Sequence, residues 1–198
     1  MTALDAVRAR QSWSKVDERA PGREELLTFV AAAGRVADHS SLRPWRLIEL
    51  RGDDREALGA AIAESQGDSS PSTKPLRAPL LIAVVASYQK SEKVPRWEQE
   101  AVASGVAHTL SLLLDEAGWG VIWRTGHYTR AKAVAKAHGL GKDEELLGWL
   151  YVGGKPEGKK AGRRKAVDAR KLVTRMPKAG AESSSEKTAK KKAKKKKK

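Results

Sequence analysis

The stretch that decides the fold is residues 93–126, which read KVPRWEQEAVASGVAHTLSLLLDEAGWGVIWRTG. A turn rich in charged and aromatic residues leads into a long helix, about residues 97–117, whose surface is apolar almost all round. A strand bracketed by glycines follows, over residues 121–124. Because a core needs only the apolar middle of this unit, we expect the groups at its two ends to face a ligand or a partner.

Strands are predicted on both sides of this unit. Residues 80–86 form an unbroken apolar, β-branched run, which is typical of a central strand buried on both faces. Residues 45–50 and 148–152 predict two further strands, and residues 66–79, rich in Ser, Gly and Pro, predict a long loop of the kind that often lies over a site.

Helices are predicted between these strands. The first is capped by Thr2 and is expected to bury Leu4 and Val7, and the third is capped by Asp53 or Asp54. The second begins near Pro21, with Leu26, Leu27, Val30 and Ala31 on one face. Shorter helical patterns cover residues 129–138 and 143–147. The order is not a clean βαβ repeat, so we expect an α+β fold, a mixed sheet flanked by helices, rather than a doubly wound Rossmann fold.

The net charge of +15 is confined to the last quarter of the chain. Residues 177–198 hold ten Lys against two Glu, residues 155–176 carry a net charge of +7, and residues 1–154 are neutral overall. We therefore predict a folded domain over residues 1–176, of which residues 155–176 form an extended C-terminal arm without obvious elements. The tail, residues 177–198, lacks the composition for a core and is predicted to be disordered.

Composition excludes several classes of site. The chain has no cysteine, which excludes disulfides and thiolate chemistry, and its four histidines lack metal-binding spacing. Charges interrupt both the N-terminus and the most apolar stretch, so neither a secretory signal nor a membrane span is predicted. The expectation is a soluble cytoplasmic protein.

Three small groups of residues suit ligand contacts, although each also has a purely structural interpretation. Arg10 and Ser12, within a basic cluster, suit a phosphate cradle, or else form a solvated turn. Arg35 and His39 could hold a polar ring or a ribityl-type chain, although such a His more often bonds only backbone. Residues 123–125, Trp-Arg-Thr, end a strand where sheet proteins place ligand contacts, or are a buried Trp followed by a turn.

Together these blocks resemble the FMN-dependent NAD(P)H nitroreductase family, in its compact single-domain branch. The resemblance extends from residue 1 to about residue 176, in order and with sensible spacing. The pieces that carry it are residues 10–12 (RQS), 34–45 (GRVADHSSLRPW), 77–79 (RAP), 93–100 (KVPRWEQE), 120–126 (GVIWRTG) and 148–153 (GWLYVG).

The resemblance implies a homodimer formed through the long central helix, with two FMN molecules at the interface. Arg10, Gln11 and Ser12 would hold the FMN phosphate and ribityl end. Arg35 and His39, from the partner chain, would contact the flavin, and Trp123, Arg124 and Thr125 would line its other side. The helix end would contact NAD(P)H, the co-substrate, through Leu113, Leu114, Asp115, Glu116, Ala117 and Gly118. The C-terminal arm would wrap onto the partner subunit.

The implied reaction is ping-pong: NAD(P)H reduces FMN, which then reduces a nitroaromatic or quinone-like electron acceptor. Since the flavin carries the redox chemistry, no catalytic acid or nucleophile is required. Two alternatives stay open. The chain could act chiefly as a nucleic-acid-associated protein through its Lys-rich tail, or it could use FMN on the same fold for a different reaction. In the preferred interpretation the tail contributes only weak, non-specific polyanion binding.

Overall fold

The computed structural model describes residues 2–158 and 166–176, and the chain divides into two units, Met1–Ala161 and Gly162–Lys198. The helices of the first unit are α1 (Ala3–Ala9), α2 (Arg23–Ala33), α3 (Asp53–Gln66), α4 (Arg96–Glu116) and α5 (Lys132–Ala137). Its strands are β1 (Trp45–Leu50), β2 (Leu80–Ser87), β3 (Trp119–Arg124) and β4 (Glu144–Gly154). Short 3-10 turns cover His39–Ser41, Lys74–Arg77 and His127–Arg130.

The four strands form one sheet in the order β1-β2-β4-β3. Where a mixed sheet was expected, all three pairs among the described strands are antiparallel. The reason lies in the crossover: β2 and β3 run parallel to each other and are joined through α4, but β4 inserts between them and pairs antiparallel with both. The α+β class is confirmed.

Helices cover both faces of the sheet. Leu80, Ile82 and Val84 of β2 point to the face that α2 and α4 cover, where they pack with Val106 and Leu110 of α4. The alternate β2 residues, Leu81, Ala83 and Val85, point to the opposite face and pack with α3 and α5. Since these β2 side chains are almost fully buried, the predicted central strand is confirmed.

The long helix is confirmed as α4, but this single chain buries only one side of it. Val106, Leu110 and Leu114 are fully buried in the core. On the other side, Trp97 is 68% exposed and His108 is exposed as well. The apolar surface of this helix therefore exceeds what the core of one chain uses.

The buried faces of the first two helices differ from the prediction. Thr2 does cap α1, in a capping box with Asp5, but Leu4 and Val7 are 57% and 55% exposed, because the residue that this helix buries is Ala6. In α2 the buried residues are Leu26 and Ala33, seven positions apart on one side of the helix. Of the other residues predicted on the apolar face with Leu26, Val30 is half-buried, whereas Leu27 and Ala31 are exposed.

Residues 143–147 are not helical as predicted: Asp143 lies in a turn, and residues 144–147 begin β4. Glu144 and Glu145 pair with the end of β2. The guanidinium of Arg46 donates two hydrogen bonds to the Glu144 carboxylate, at 2.6 and 2.7 Å, and lowers its pKa to about 2. Tertiary pairing therefore overrides the helical preference of the sequence. A smaller correction concerns α3, whose N-cap is Gly52, with Asp53 and Asp54 in the first turn.

The second unit is described only over residues 166–176. It contains one short helix, α6 (Ala169–Leu172), where no element was expected. Four apolar side chains of this segment are exposed: Val167, Leu172, Val173 and Met176. The rest of the predicted arm, residues 159–165, and the predicted disordered tail, residues 177–198, lie outside the described residues.

Neither a membrane-spanning helix nor a metal site is present among the described residues. No helix there has the length and apolarity to cross a membrane. No group of His, Asp and Glu side chains there has the arrangement of a metal site.

Candidate functional site

A pocket of about 340 Å³ opens at the end of β3, and we call it the strand-end pocket. It brings together Trp123, Arg124 and Thr125, the three residues that the sequence placed at a strand end. The neighbouring Ile122 and Tyr128 also line it, and Lys74, Arg77 and Tyr151 join from segments far apart in sequence. The predicted Trp-Arg-Thr group is therefore part of a concave site.

At the end of β3, Trp123 and Arg124 lie very close to the backbone of β4. β4 has a bulge opposite Val84 and Val85, where Gly148 takes a φ of +140°. A Cβ atom on Gly148 would lie 2.6 Å from the carbonyl oxygen of Arg124 and 2.6 Å from Nε1 of Trp123. Only glycine suits this close approach together with the positive φ.

Two side chains of this segment have buried N–H groups without a partner. Among the described residues, the buried side-chain nitrogens that lack a hydrogen bond are Nε of Arg55, Nε1 of Trp123 and Nε of Arg124. Two of these three belong to the predicted Trp-Arg-Thr group. Since unpaired buried donors are rare in folded proteins, this end of β3 carries hydrogen-bonding capacity that the described residues do not use.

The strand-end pocket is cationic with aromatic walls. Lys74, Arg77 and Arg124 line it, and no carboxylate is among its described lining residues. Lys74 lies 5.4 Å from the centre of the Tyr128 ring, and Arg124 lies 5.4 Å from that of Tyr151. Burial raises the pKa of Tyr151 to about 12, so its hydroxyl remains protonated at neutral pH. Such a pocket suits a planar aromatic group that carries or develops negative charge.

The predicted phosphate-binding residues, Arg10, Gln11 and Ser12, follow the end of α1. The next residue, Trp13, donates its backbone N–H to the carbonyl of Val121 at 3.0 Å, which places this segment beside β3. Arg10 and Gln11 are half-buried and Ser12 is exposed. The phosphate candidates and the strand-end pocket therefore border the same edge strand.

Arg35 and His39 lie at the end of α2 and in the turn after it, and neither lines the strand-end pocket. Both are exposed, and the His39 ring lies 3.0 Å, Nδ1 to Oε2, from the Glu98 carboxylate in the first turn of α4. Within one chain, the predicted flavin contacts thus form two separate groups.

The end of α4 is only partly accessible. Leu114 is fully buried in the core, and the Asp115 carboxylate is engaged with Trp13 and Lys155. Leu113 is half-buried, while Glu116, Ala117 and Gly118 are exposed. Of the six predicted nicotinamide-nucleotide contacts, these last three have the accessibility that a ligand contact requires.

Residues 93–100, which the sequence left without a contact, have a structural role. The side chain of Gln99 is buried, accepts a hydrogen bond from the backbone of Gln89 at 2.8 Å, and donates to the carbonyls of Gln89 and Val94 at 3.0 Å. The guanidinium of Arg96 lies 4.4 Å from the Tyr88 ring centre. Much of the polar chemistry at the start of α4 therefore holds the preceding loop.

Sequence reasoning missed Lys74, Arg77, Tyr128 and Tyr151 as site residues. The only signal was general, namely that the loop over residues 66–79 could lie over a site and that residues 77–79 resemble a family segment. Nothing in the spacing shows that this loop, the turn after β3 and the middle of β4 converge. That convergence follows from the strand order, which places β4 beside β3.

The chain is thus of the α+β class, with helices on both faces of its sheet and a cationic, aromatic pocket at a strand end that suits a planar ligand. Comparisons specify the class further. The sequence model of the Nitroreductase family matches residues 7–154. The candidate NAD(P)H nitroreductase YdjA of Escherichia coli K12 is 36% identical in an alignment of 161 positions that covers 77% of this chain and 88% of that protein.

Solved structures share the fold. A nitroreductase-like family protein from Bacillus cereus superposes with a TM-score of 0.75 at 18% identity, over 90% of this chain and 97% of that one. The FMN- and NADPH-dependent nitroreductase NfnB of Sphigopyxis sp. strain HMH gives a TM-score of 0.70 at 18% identity, over 89% and 100% of the two chains. The chain belongs to the nitroreductase family, as the sequence predicted, and is an oxidoreductase of that type.

Proposed function

We propose that this protein is an FMN-dependent NAD(P)H oxidoreductase, and that the strand-end pocket receives the flavin ring. The observation that carries the proposal is the pocket itself, with three cations, two tyrosine rings and two unpaired buried N–H groups at the predicted Trp-Arg-Thr segment. Family membership, and the FMN and NADPH dependence of the related NfnB, support the choice of cofactor.

The residues present fit FMN. The half-buried Tyr128 provides flat apolar surface for a ring system, and Nε of Arg124 is a donor that lacks a partner among the described residues. Lys74 and Arg77 supply positive charge, which favours a ring that gains electrons. Arg10, Gln11 and Ser12, which we call the phosphate seat, offer a guanidinium, an amide and a hydroxyl for the phosphate and ribityl end.

When bound, FMN accepts a hydride from NAD(P)H and passes electrons to a second substrate in a ping-pong cycle. The protein binds and orients the cofactor and both substrates. We propose a nitroaromatic or quinone-like acceptor, and nicotinamide-nucleotide contacts at the exposed end of α4, over residues 116–118. The same fold supports other flavin reactions, and an acceptor screen distinguishes them.

We further propose a homodimer in which each flavin touches both subunits. The described residues of one chain leave the outward face of α4 accessible; this face is defined by Trp97, Ala101, Ser104, His108 and Leu112, which are exposed or half-buried. Arg35 and His39 lie outside the strand-end pocket of their own chain, as expected if they reach the flavin of the partner. The domain would then extend to residue 176, with residues 155–176 as an arm on the partner subunit.

Flavin binding tests the main proposal. The purified protein should be yellow, and FMN fluorescence should be quenched on titration. Stopped-flow mixing with NADH and NADPH should bleach the flavin, and an acceptor should restore its colour. Arg124→Ala should weaken FMN binding roughly tenfold, whereas Arg23→Ala, which removes an exposed guanidinium paired with Glu49, should not change it. A colourless protein that ignores added FMN would refute the proposal.

A second function rests on the charge distribution. Residues 155–198 carry the whole net charge of +15, so we propose that the Lys-rich tail gives weak, non-specific binding to nucleic acid through counterion release. Deleting residues 177–198 should abolish retention on duplex DNA and flatten the salt dependence, while FMN binding stays the same. Retention that survives the deletion would exclude the tail as its cause.

A further inference from the structure

Trp13, Asp115 and Lys155, which we call the Trp13 anchor, form a buried polar cluster beside the phosphate seat. The indole N–H of Trp13 donates to Oδ1 of Asp115 at 3.1 Å, although 102 positions separate the two residues. The ammonium of Lys155 lies 3.2 Å from the same oxygen and donates to the backbone carbonyl of Asp115 at 2.8 Å. The cluster therefore joins the segment after α1, the end of α4 and the end of β4.

The anchor compensates a buried charge. Asp115 and Trp13 are only 8% and 9% exposed, and a buried carboxylate is unfavourable unless charged and hydrogen-bonding partners surround it. The Lys155 ammonium supplies the charge and lies 5.5 Å from the centre of the Trp13 ring, so it contacts both other members. Loss of the indole donor would leave the Asp115 carboxylate with Lys155 as its charged partner.

The backbone around Trp13 is fixed as well. Its N–H donates to the carbonyl of Val121 in β3 at 3.0 Å. The neighbouring Gly120 has no side chain, and a Cβ atom there would lie 3.2 Å from Cβ of Trp13 and 2.8 Å from Cγ1 of Val16. Trp13 is thus held both by its backbone and by its side chain. It directly follows Ser12, the last residue of the phosphate seat.

We infer that Trp13 is a positioning residue: through Asp115 and Lys155 it fixes the phosphate seat for the FMN phosphate. The inference rests on the proposed FMN function. The seat follows α1, a helix of only seven residues with an exposed outward face, and the anchor adds contacts to the end of α4 and to Lys155 after β4. Through the anchor, the seat is held in a fixed position relative to α4 and the sheet.

The test compares two flavins that differ only in the phosphate group. Trp13→Phe keeps an aromatic ring but removes the indole N–H. For the full-length variant, the Kd for FMN, measured by fluorescence quenching, should rise roughly tenfold, about 1.4 kcal/mol, while the Kd for riboflavin, which keeps the ribityl contacts but has no phosphate to lose, should rise clearly less. A merely structural role would weaken the binding of both flavins to a similar extent.

Trp149→Phe is the matched control. Trp149 is also buried, and its indole N–H donates to Nε2 of His138 at 3.0 Å, on the α3 and α5 face of the sheet. This variant should lose stability without changing the ratio of the two flavin affinities. If Trp13→Phe does not fold, Lys155→Met tests the same anchor and should also reduce the preference for FMN over riboflavin.

The outcomes separate the two proposals. A Trp13→Phe variant that binds FMN as tightly as the parent chain, or loses FMN and riboflavin affinity equally, would overturn the positioning role. A parent chain that binds neither flavin would instead overturn the proposed function.

Discussion

Gly148 lies at the bulge of β4, against the backbone of Arg124 and the indole of Trp123. Gly148→Ala would impose a Cβ atom where the φ is +140° and the nearest atoms would be 2.6 Å away. We expect the free energy of unfolding to fall by about 2 kcal/mol or more, since strain and a backbone clash act together. The FMN affinity should fall too, because Trp123 and Arg124 would move.

Gly141→Ala is the control for this prediction. A Cβ atom on Gly141 would meet its nearest atom, Oε2 of Glu144, at 3.8 Å, which is ordinary contact. Its unfolding free energy and FMN affinity should match those of the parent chain in urea titrations and fluorescence titrations. Equal behaviour of the two alanine variants would show that the bulge tolerates a side chain.

His138 makes stability depend on pH. Its Nδ1 lies 2.8 Å from the carbonyl of Val134, and its Nε2 accepts the indole N–H of Trp149, so the ring is in place only when neutral. Burial lowers its pKa, and the nearby Arg46 acts in the same direction. At pH values below the unfolded pKa of 6.5 and above the lowered folded pKa, the unfolded chain binds a proton at His138 and the folded chain does not. Stability should therefore fall as the pH drops below 6.5.

Urea unfolding at pH 7.5 and pH 5.5 measures this effect. The parent chain should lose about 1 kcal/mol at the lower pH, because pH 5.5 lies one unit below the unfolded pKa and one such unit corresponds to at most about 1.4 kcal/mol for a single group. His138→Gln should have a flatter profile, because the exposed His39, His108 and His127 remain in both proteins and their effects cancel. An unchanged pH dependence in the variant would show that His138 is not responsible.

At the scale of elements, the start of α4 depends on Gln99. Its amide makes three hydrogen bonds to the backbone of Gln89 and Val94, and it is 2% exposed. Gln99→Ala should lower the free energy of unfolding by about 3 kcal/mol, because buried backbone groups lose their partners. Hydrogen exchange at the amide of Gln89 should accelerate for the same reason.

Gln89→Ala is the control, because Gln99 binds the backbone of residue 89 and not its side chain. It keeps the backbone groups that Gln99 binds and removes only a side chain that is exposed. The expected change is within about 0.5 kcal/mol. A loss as large as that of Gln99→Ala would mean that the loop, and not the buried amide, is the sensitive part.

The same scale shows what the sequence could predict. The unbroken apolar run of β2 and the length of α4 identify those elements without tertiary knowledge, and both are confirmed. The prediction for residues 143–147 was wrong, since the helical pattern there is overridden by pairing with β2 and by the contact between Arg46 and Glu144. Likewise, the Trp-Arg-Thr group was visible at a strand end, but Lys74 and Tyr151 join it only through the strand order.

At the scale of the whole molecule, the proposed dimer predicts that a substitution which prevents dimerisation also weakens flavin binding. Ala101 is exposed on the outward face of α4, so Ala101→Glu would place a charge where the partner helix is proposed to pack. The variant should sediment as a folded monomer with native helical circular dichroism. Its FMN affinity should fall at least roughly a hundredfold, about 2.7 kcal/mol, because Arg35 and His39 would no longer reach the partner's flavin.

Ala60→Glu introduces the same charge at an exposed position of α3, on the other face of the sheet. Since that helix is not part of the proposed interface, this variant should remain dimeric and bind FMN like the parent chain. Sedimentation velocity at several protein concentrations, with FMN titrations on the same samples, measures both properties. An Ala101→Glu protein that stays dimeric would place the interface elsewhere, and a monomer that keeps full FMN affinity would show that one chain completes the site.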